Sequence, residues 1–293
     1  MKNMRKGFDR LIGGVVILVL FAFGMVSTVS AETFRMAVPK GSEDNFAFQI
    51  GAIRLAIANA PGEHQLEVLS VERLTQTRGL TMLRSGEINV IFAGYNPDFS
   101  EEFLQVDFPI TRGLQGYRLF VIRADTQASL MRVKSLEDLK GFCIGSGQGW
   151  LDTAILKDAG LCVTEAPQNN LISMLENDRF DMMHLAVHEA LKRDRVQQLK
   201  RAGLRVEETL LLRYQYDFFT YVGKNDKIRH SLLEQGFQNA FFSGAFNEYF
   251  RSDPSIAAAM DYIRQSDRRV IDLDNPGIGP KNDQTAEQYW LTE

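Results

Sequence analysis

One pattern of secondary structure occurs twice along this chain: strand, helix, strand, helix, strand. Apolar runs predict the strands, at 34–38, 66–69 and 88–92, then at 142–145, 162–165 and 180–183. The copies are similar even in letters, since Met-Leu-Arg-Ser-Gly-Glu-Ile-Asn at 82–89 is echoed by Met-Leu-Glu-Asn-Asp-Arg-Phe-Asp at 174–181. A continuous apolar run such as 88–92 is typical of a parallel strand buried on both faces. The repetition predicts an α/β fold built of two similar lobes.

Two extended segments, 116–123 and 210–222, follow the first and the second copy. They predict two crossings between the lobes, near Val121 and Tyr214. Helical patterns at 227–241 and 256–263 would return the chain to the first lobe. The predicted division is therefore lobe 1 over 32–121, lobe 2 over 122–214, and a return to lobe 1 with a C-terminal tail over 215–293. Two lobes joined by two crossings can close on a ligand by hinge motion.

The N-terminus has the pattern of a secretory signal peptide. A basic start precedes sixteen mostly apolar residues at 11–26, and Val-Ser-Ala at 29–31 is a small-x-small cleavage pattern. The apolar run is short for a membrane span, which needs about 20 residues. We therefore expect residues 1–31 to be removed and the rest to be exported to the periplasm.

Charge and cysteine content narrow the class of protein further. The whole chain carries a net charge of −4, and the leader carries four basic residues against one acid. The exported part therefore carries about −7 and lacks the basic surface that nucleic-acid binding requires.

The two cysteines of the chain, Cys143 and Cys162, begin neighbouring strand candidates of one lobe in a compartment that permits oxidation. We expect them to form a disulfide; two buried thiols are the alternative.

Four motifs, in this order and spacing, carry a family resemblance: Leu-x-Ser-Gly-Glu-Ile-Asn-Val at 83–90, Val-Asp-Phe-Pro-Ile at 106–110, Ser-Leu-Glu-Asp-Leu-Lys-Gly at 135–141 and Asn-Asp-Arg-Phe-Asp at 177–181. With them the exported chain resembles the periplasmic solute-binding proteins of family 3, the amino-acid-binding type. Segments 112–118, 147–153 and 275–276 are similar to a divergent proteobacterial branch. The resemblance implies a type II periplasmic binding protein fold and a monomer that delivers a small polar solute to an ABC-type permease, with no cofactor.

Two departures from that family concern the ligand. The amino-acid binders hold the ligand carboxylate with an arginine shortly before the Asp-Phe motif, where this chain reads Asn-Pro-Asp-Phe-Ser-Glu-Glu-Phe at 96–103. They hold the ammonium with an acid just beyond the last strand of the second lobe, where Ala186 stands at the aligned position. An α-amino acid is therefore not the expected ligand.

A glycine-rich loop between a strand and a helix is the first candidate for ligand contact. Its residues, Ser146, Gly147, Gln148, Gly149 and Trp150, could present free N–H groups and a helix start to an anion. The alternative is a tight turn that needs glycine for a positive φ, and Trp150 could equally stack on a ligand or cover the core. No lysine ends the loop, so it is not a nucleotide-binding P-loop.

Other candidates lie where open α/β sheets bind ligands, at the carboxyl ends of strands. Asn45, Phe46 and Tyr95 come from the strand-to-helix connections of the first lobe. Gln76 and Arg78 open a helix there, and either Arg78 or Arg112 could replace the missing carboxylate clamp through a bidentate pair. Packing, or plain exposure of the arginines, is the alternative for each.

Metal and catalytic sites have little support. His184 and His188 have the spacing of a helical metal pair, but the strand is expected to end near His184 and no third ligand is evident. Ser146 lacks the Gly-x-Ser-x-Gly frame of a hydrolase nucleophile. Two alternatives to a transport role stay open: a ligand-binding sensor subunit for a signalling receptor, and an enzyme resembling the cyclohexadienyl dehydratases with a cleft Glu or His as acid or base.

Overall fold

The computed structural model describes residues 30–96, 98–277 and 285–291. The predicted signal peptide lies outside the described residues except for its last two positions. Within the described part of the chain, no helix has the length and apolar character that a membrane crossing requires.

Twelve strands and twelve helices are described. The strands are β1 (Thr33–Pro39), β2 (Gln65–Val71), β3 (Ile91–Gly94), β4 (Phe103–Val106), β5 (Tyr117–Arg123), β6 (Cys143–Gly147), β7 (Cys162–Ala166), β8 (Met182–Ala186), β9 (Leu204–Val206), β10 (Leu210–Arg213), β11 (Phe218–Gly223) and β12 (Arg269–Asp272). The helices are α1 (Ala47–Asn59), α2 (Gln76–Ser85), α3 (Phe99–Glu102), α4 (Gln127–Leu130), α5 (Leu136–Leu139), α6 (Thr153–Asp158), α7 (Leu171–Glu176), α8 (Val187–Ala190), α9 (Arg193–Arg201), α10 (Lys227–Phe242), α11 (Ala245–Ser252) and α12 (Pro254–Gln265).

Three sheets divide these strands between two lobes. In lobe 1, β1 pairs with β2 in parallel, and β11 lies between β3 and β4 in an antiparallel sheet. In lobe 2 the strand order is β12-β10-β5-β8-β6-β7, with β9 also paired to β5. Both copies of the predicted strand-helix pattern are therefore present, one in each lobe.

The third predicted strand differs in position and partner. β3 begins at Ile91 rather than at residue 88 and pairs antiparallel with β11, so the expected parallel pairing is wrong. Before the strand, Asn89 is bonded to β1 instead of to β11. Its side-chain oxygen accepts from Arg35 N–H at 2.6 Å and its side-chain amide donates to the Thr33 carbonyl at 2.9 Å. A buried apolar run reports burial on both faces but not strand direction.

Helix packing closes lobe 1. α1 packs along α10, and Gly236 allows the close approach, since a Cβ there would collide with the Ala56 carbonyl. Phe108 lies in the same core, stacked on Phe237 with ring centroids 4.6 Å apart. Burial of large aromatic side chains is the main stabilising contribution at such a contact.

Two features refine the predicted lobe division, whose residue boundaries stay a prediction. All of β5 belongs to the large sheet, so the first crossing ends before Tyr117. The C-terminal part also does not stay with lobe 1: β12 pairs in parallel with β10 at the edge of the lobe 2 sheet, where Arg213 forms an ion pair with Asp272 at 2.6 Å. The four-residue β12 gave no periodic signal in the sequence.

The predicted disulfide is confirmed. Cys143 and Cys162 lie directly opposite each other on β6 and β7, with Cα atoms 4.5 Å apart. Both residues begin their strands, so the bridge lies at the end of the sheet opposite the loop that follows Gly147. For a sequence separation of 19 residues, such a bridge contributes about 3 kcal/mol to stability.

Candidate ligand site between the lobes

A buried aspartate joins the two crossing segments. Asp217 lies between β10 and β11, and its carboxylate accepts hydrogen bonds from the Thr111 N–H and hydroxyl, both at 2.9 Å, and from Gly113 N–H. Its carbonyl accepts from Tyr95 N–H at 3.3 Å. Burial raises the pKa of Asp217 to about 7, although the hydrogen bonds from Thr111 and Gly113 to its carboxylate lower it. The two segments that connect the lobes are thus joined at Asp217, and we call this junction the hinge.

Three buried polar side chains form a closed network beside the hinge. Arg118 Nε donates to the Tyr214 hydroxyl at 2.8 Å, this hydroxyl donates to Asp152 Oδ2 at 2.9 Å, and the guanidinium also forms an ion pair with Asp152. Burial alone would lower the pKa of Arg118, but the Asp152 carboxylate raises it overall and in turn has its own pKa lowered. We call Arg118, Asp152 and Tyr214 the floor network; Arg118 lies on β5, Tyr214 directly follows β10, and Asp152 precedes α6.

His184 and Ser146 extend the floor network into lobe 2. Ser146 Oγ lies 3.1 Å from His184 Nε2 and 2.7 Å from Thr153 Oγ1. His184 Nδ1 is 3.8 Å from Asp152 Oδ2, which is too long for a hydrogen bond. Burial lowers the pKa of His184 to about 4, so it is neutral near pH 7. Ser146 is fully buried and shares its hydroxyl with Thr153, so this arrangement lacks an accessible nucleophile.

A second polar group lies next to the floor network but is incompletely bonded. Glu189 accepts from Gln115 Nε2 at 3.3 Å and from Ala186 N–H at 3.2 Å, and its nearest cation, Arg118, is 3.9 Å away. The buried Oε1 of Gln115 has no hydrogen-bond partner, and neither has either ring nitrogen of His188. We call Glu189 and Gln115 the acceptor pair.

Aromatic rings line the way from lobe 1 to the floor network. Phe46 contacts Phe92 at a centroid distance of 5.5 Å, Phe92 contacts Phe218 at 5.8 Å, and Phe218 contacts Tyr216 at 6.3 Å. The Arg118 guanidinium lies 5.7 Å from the Tyr216 ring, within cation–π range. An apolar wall of this kind suits the carbon chain of a ligand.

The two lobes are in contact across the cleft. Lys192, just after α8 in lobe 2, donates to the Asn45 carbonyl of lobe 1 at 3.0 Å. Leu151 of lobe 2 packs against the apolar cluster of lobe 1 that contains Tyr95 and Phe219. The two lobes therefore touch each other at Lys192 and at Leu151.

The lobe 1 candidates from the sequence lie in different surroundings. Phe46 belongs to the aromatic wall and Asn45 to the contact between lobes. Gln76 has a buried Nε2 without a hydrogen-bond partner. Tyr95 is buried beside Phe219, with ring centroids 6.3 Å apart. Their role in ligand contact stays a prediction.

The two candidate arginines are both engaged by carbonyl oxygens. Arg78 is exposed and donates to the Glu72 carbonyl at 2.6 Å.

Arg112 makes more extensive contacts, all with the C-terminal part of the chain. It donates to Asn247 Oδ1 at 3.0 Å and to the carbonyls of Gln288, Tyr289 and Trp290 at 3.2–3.3 Å. Two phenylalanine rings also face it, at 5.5 and 5.8 Å. These contacts make Arg112 an anchor of the C-terminal segment and leave the predicted clamp without support.

The glycine-rich loop is a compact turn. Gln148 N–H donates to the Ala166 carbonyl at 2.8 Å and Trp150 N–H to the Gly147 carbonyl at 3.0 Å, so these amides are occupied. The Trp150 ring covers Gly147 and meets His184 edge-on at 5.5 Å. Gly149 has a φ of 78°, the conformation that favours glycine. The expectation of ligand contact stays untested; the turn accounts for Gly149, and the close Trp150 ring accounts for Gly147.

Sequence reasoning missed the floor network and the acceptor pair. A signal was available for Arg118. It directly precedes the apolar run Leu-Phe-Val-Ile at 119–122, and a charged residue in a buried strand needs a partner. Asp152 stands 34 positions away, and only the fold brings it near.

Among the described residues, no group of three or more His, Cys, Asp or Glu side chains could hold a metal ion.

Comparison with known proteins gives likeness of fold. No family model matches the chain, and no curated protein matches it. An ancestral arginine-binding protein bound to arginine is similar in structure, with a TM-score of 0.52 and 17% identity over 75% of this chain and 96% of that chain. An amino acid ABC transporter substrate-binding protein from Streptococcus pneumoniae bound to L-arginine has a TM-score of 0.53 and 15% identity, over 78% and 95%.

A third similar structure has a different history. It is the ancestral amino-acid-binding protein AncCDT-1, described as a precursor of cyclohexadienyl dehydratase, with a TM-score of 0.53 and 12% identity over 75% of this chain and 94% of that chain. At such identities the likeness shows the fold alone. It confirms the predicted fold class, an α/β, two-lobed type II periplasmic binding protein with a hinge.

Proposed function

We propose that this protein is an exported solute-binding protein that captures a small polar solute between its lobes and delivers it to an ABC-type permease. The observation that carries the proposal is the position of the floor network. Arg118 and Asp152 are both buried beside the connections between the lobes, and burying a charge pair costs free energy that only good geometry and further hydrogen bonds offset. A polar centre at this place suits the capture of a polar solute between the lobes.

The structural neighbours support a transport role. One is an amino acid ABC transporter substrate-binding protein by name, and another comes from work on glutathione import and a cystine ABC importer in Streptococcus mutans. The periplasmic location rests on the signal-peptide pattern of residues 1–31 and is consistent with the disulfide. The monomeric state stays a prediction.

The enzyme alternative is less well supported. A general acid or base works best with a pKa near the operating pH. Burial lowers the pKa of both His184 and His188 to about 4, and the pKa of Glu189 is also lowered, so none of these three is suited to proton transfer near pH 7. Burial raises the pKa of Asp217 to about 7, but this carboxylate is fully buried and accepts hydrogen bonds from Thr111 and Gly113. A sensor role uses the same closed lobes. An ATPase assay would distinguish the sensor role from transport: in a transport role, the ligand-bound protein should stimulate ATP hydrolysis by a permease encoded beside it.

A ligand screen with a structural readout tests the proposal. A thermal-shift panel of amino acids, amines, organic acids and small peptides should contain a ligand that raises the melting temperature, since binding only the native state adds roughly 2.7 kcal/mol at a hundredfold excess over Kd. Small-angle scattering with that ligand should show a smaller radius of gyration. A panel without any binder, or a binder that leaves the scattering profile unchanged, would contradict the proposal.

A further inference from the structure

The cleft floor contains one positive side chain that is already neutralised. Arg118 has its ion pair with Asp152, its Nε bond to Tyr214, and two tyrosine rings at 5.7 Å. The exposed fraction of its side chain is 4%. A ligand carboxylate would have to displace Asp152 from a buried pair, and a buried carboxylate left without its partner is strongly unfavourable.

The acceptor pair lacks the cation that the floor network has. Glu189 has two hydrogen bonds, whereas an ionised carboxylate has about four acceptor sites. Gln115 is 97% buried, and because its Nε2 donates to Glu189, its unpartnered Oε1 is fixed as an acceptor. Two side chains within hydrogen-bond distance of each other thus both offer oxygen lone pairs.

The charge around the acceptor pair is also unbalanced. Burial alone would raise the pKa of Glu189, but His188, Arg118 and the two hydrogen bonds lower it overall, so its carboxyl is ionised. His188 is neutral near pH 7, because burial lowers its pKa to about 4. The charged groups around His188 and Arg118 are two cations, Arg118 and Lys192, and three carboxylates, Asp152, Glu189 and Asp253. Because Arg118 is paired with Asp152, it does not neutralise Glu189.

The acceptor pair is partly exposed, at Glu189, and lies close in sequence to both inter-lobe connections. The side chain of Glu189 is 33% exposed, while Gln115 belongs to the first crossing segment and α8 leads directly to Lys192, which touches lobe 1. A donor group held by Glu189 would therefore bind three residues before Lys192, the residue that touches lobe 1.

Resting on the proposed solute-binding function, we propose that the ligand is a carboxylate-free cation, an amine or a guanidine, whose head group donates hydrogen bonds to Glu189 and to Gln115 Oε1. The adjacent aromatic wall that begins at Phe46 would cover its carbon chain. This assigns the cleft the opposite polarity to the anion site that the glycine-rich loop predicts.

Matched probes separate the charge types. Calorimetry at pH 7 would compare agmatine and putrescine with L-arginine, which is agmatine plus a carboxylate, and with glutarate, a dianion. The carboxylate-bearing probes test for binding of an anion elsewhere on the protein. Arg73, for example, is exposed in the connection between β2 and α2 and could attract one. We expect agmatine or putrescine to bind at least about tenfold more tightly than glutarate, with L-arginine no tighter than agmatine.

Two variants then locate the site. Glu189→Gln keeps an oxygen for the Ala186 N–H and removes the charge, and Gln115→Met removes the free acceptor at similar volume. Each should weaken the cation at least about tenfold with the fold retained by circular dichroism, whereas Glu63→Gln, an exposed control, should bind as the parent does.

The outcomes distinguish this inference from the proposed function. Tighter binding of glutarate or L-arginine, unchanged cation binding by both variants, or an uncharged ligand from the wider panel would each overturn the inference and leave the solute-binding function standing. Failure of all probes and of the wider panel would overturn both.

Discussion

Arg112 and Arg118 stand close together in sequence, yet they lie in different surroundings. Arg118 is 3% exposed and its charge is balanced by Asp152 at the cleft floor. Arg112 is half-buried and donates to neutral oxygens of Asn247 and of the C-terminal segment. Arg118 is half of an ion pair that is shielded from water, whereas Arg112 fixes the C-terminal segment through several hydrogen bonds at once. The role of each arginine is therefore set by its partners.

Arg118→Ala should give the largest effect on stability. It leaves Asp152 buried beside Tyr214 without its cation, which should lower the free energy of unfolding by about 3–5 kcal/mol. Urea denaturation at pH 7 measures this. The double variant Arg118→Ala, Asp152→Ala should recover part of the loss. A loss below about 1 kcal/mol in the single variant would show that the pair is not effectively buried.

Lowering the pH tests the histidine of the same network. The folded-state pKa of His184 is depressed to about 4, so between the ordinary value near 6.5 and 4 only the unfolded state takes up the proton. Its contribution to stability is therefore present above pH 6.5 and is lost as the pH falls to 4, by a few kcal/mol.

His184→Asn isolates that contribution. His188 acts in the same direction and Asp217 in the opposite direction over this range, but both are present in parent and variant. The loss of unfolding free energy between pH 7 and pH 4.5 should be smaller in the variant. Equal losses would mean that His184 titrates normally.

Arg112→Lys should have a moderate and local effect. Lysine keeps the charge but lacks the planar fork that reaches several carbonyls at once, so we expect a loss of about 1–2 kcal/mol. Hydrogen exchange should report faster exchange of Leu291 N–H, which donates to the Arg112 carbonyl at 2.8 Å. Unchanged exchange there would refute the anchoring role.

Arg78→Ala should have the smallest effect. Its side chain is exposed and bonds only a carbonyl on the surface, so the free energy of unfolding should change by less than about 0.5 kcal/mol. Ligand binding should also stay the same. A tenfold loss of affinity would restore the carboxylate clamp that the sequence predicts and would count against a cationic ligand.

The sequence predicted those parts of the molecule that depend on local pattern. The repeated units and the disulfide between Cys143 and Cys162 each have a signal within a few residues or within one lobe. The turn at Gly149 was the alternative to ligand contact, which stays a prediction. The floor network has a signal only at Arg118, a charge beside an apolar run, and none for its partners, because Arg118 meets Asp152 and Tyr214 only after β5, β10 and the loop before α6 are in place. β12 is similar: four residues without periodicity pair at an edge that exists only in the folded sheet.

The distance between the lobes, with and without ligand, tests the central claim most directly. Spin labels would be placed on Thr81→Cys in α2 of lobe 1 and Asp158→Cys in α6 of lobe 2, both exposed. Both native cysteines are in the disulfide, so they do not compete for the label. Double electron–electron resonance should show a broad distribution without ligand and a single, shorter distance with a saturating cation from the panel. Identical distributions with a ligand shown to be bound would contradict the account.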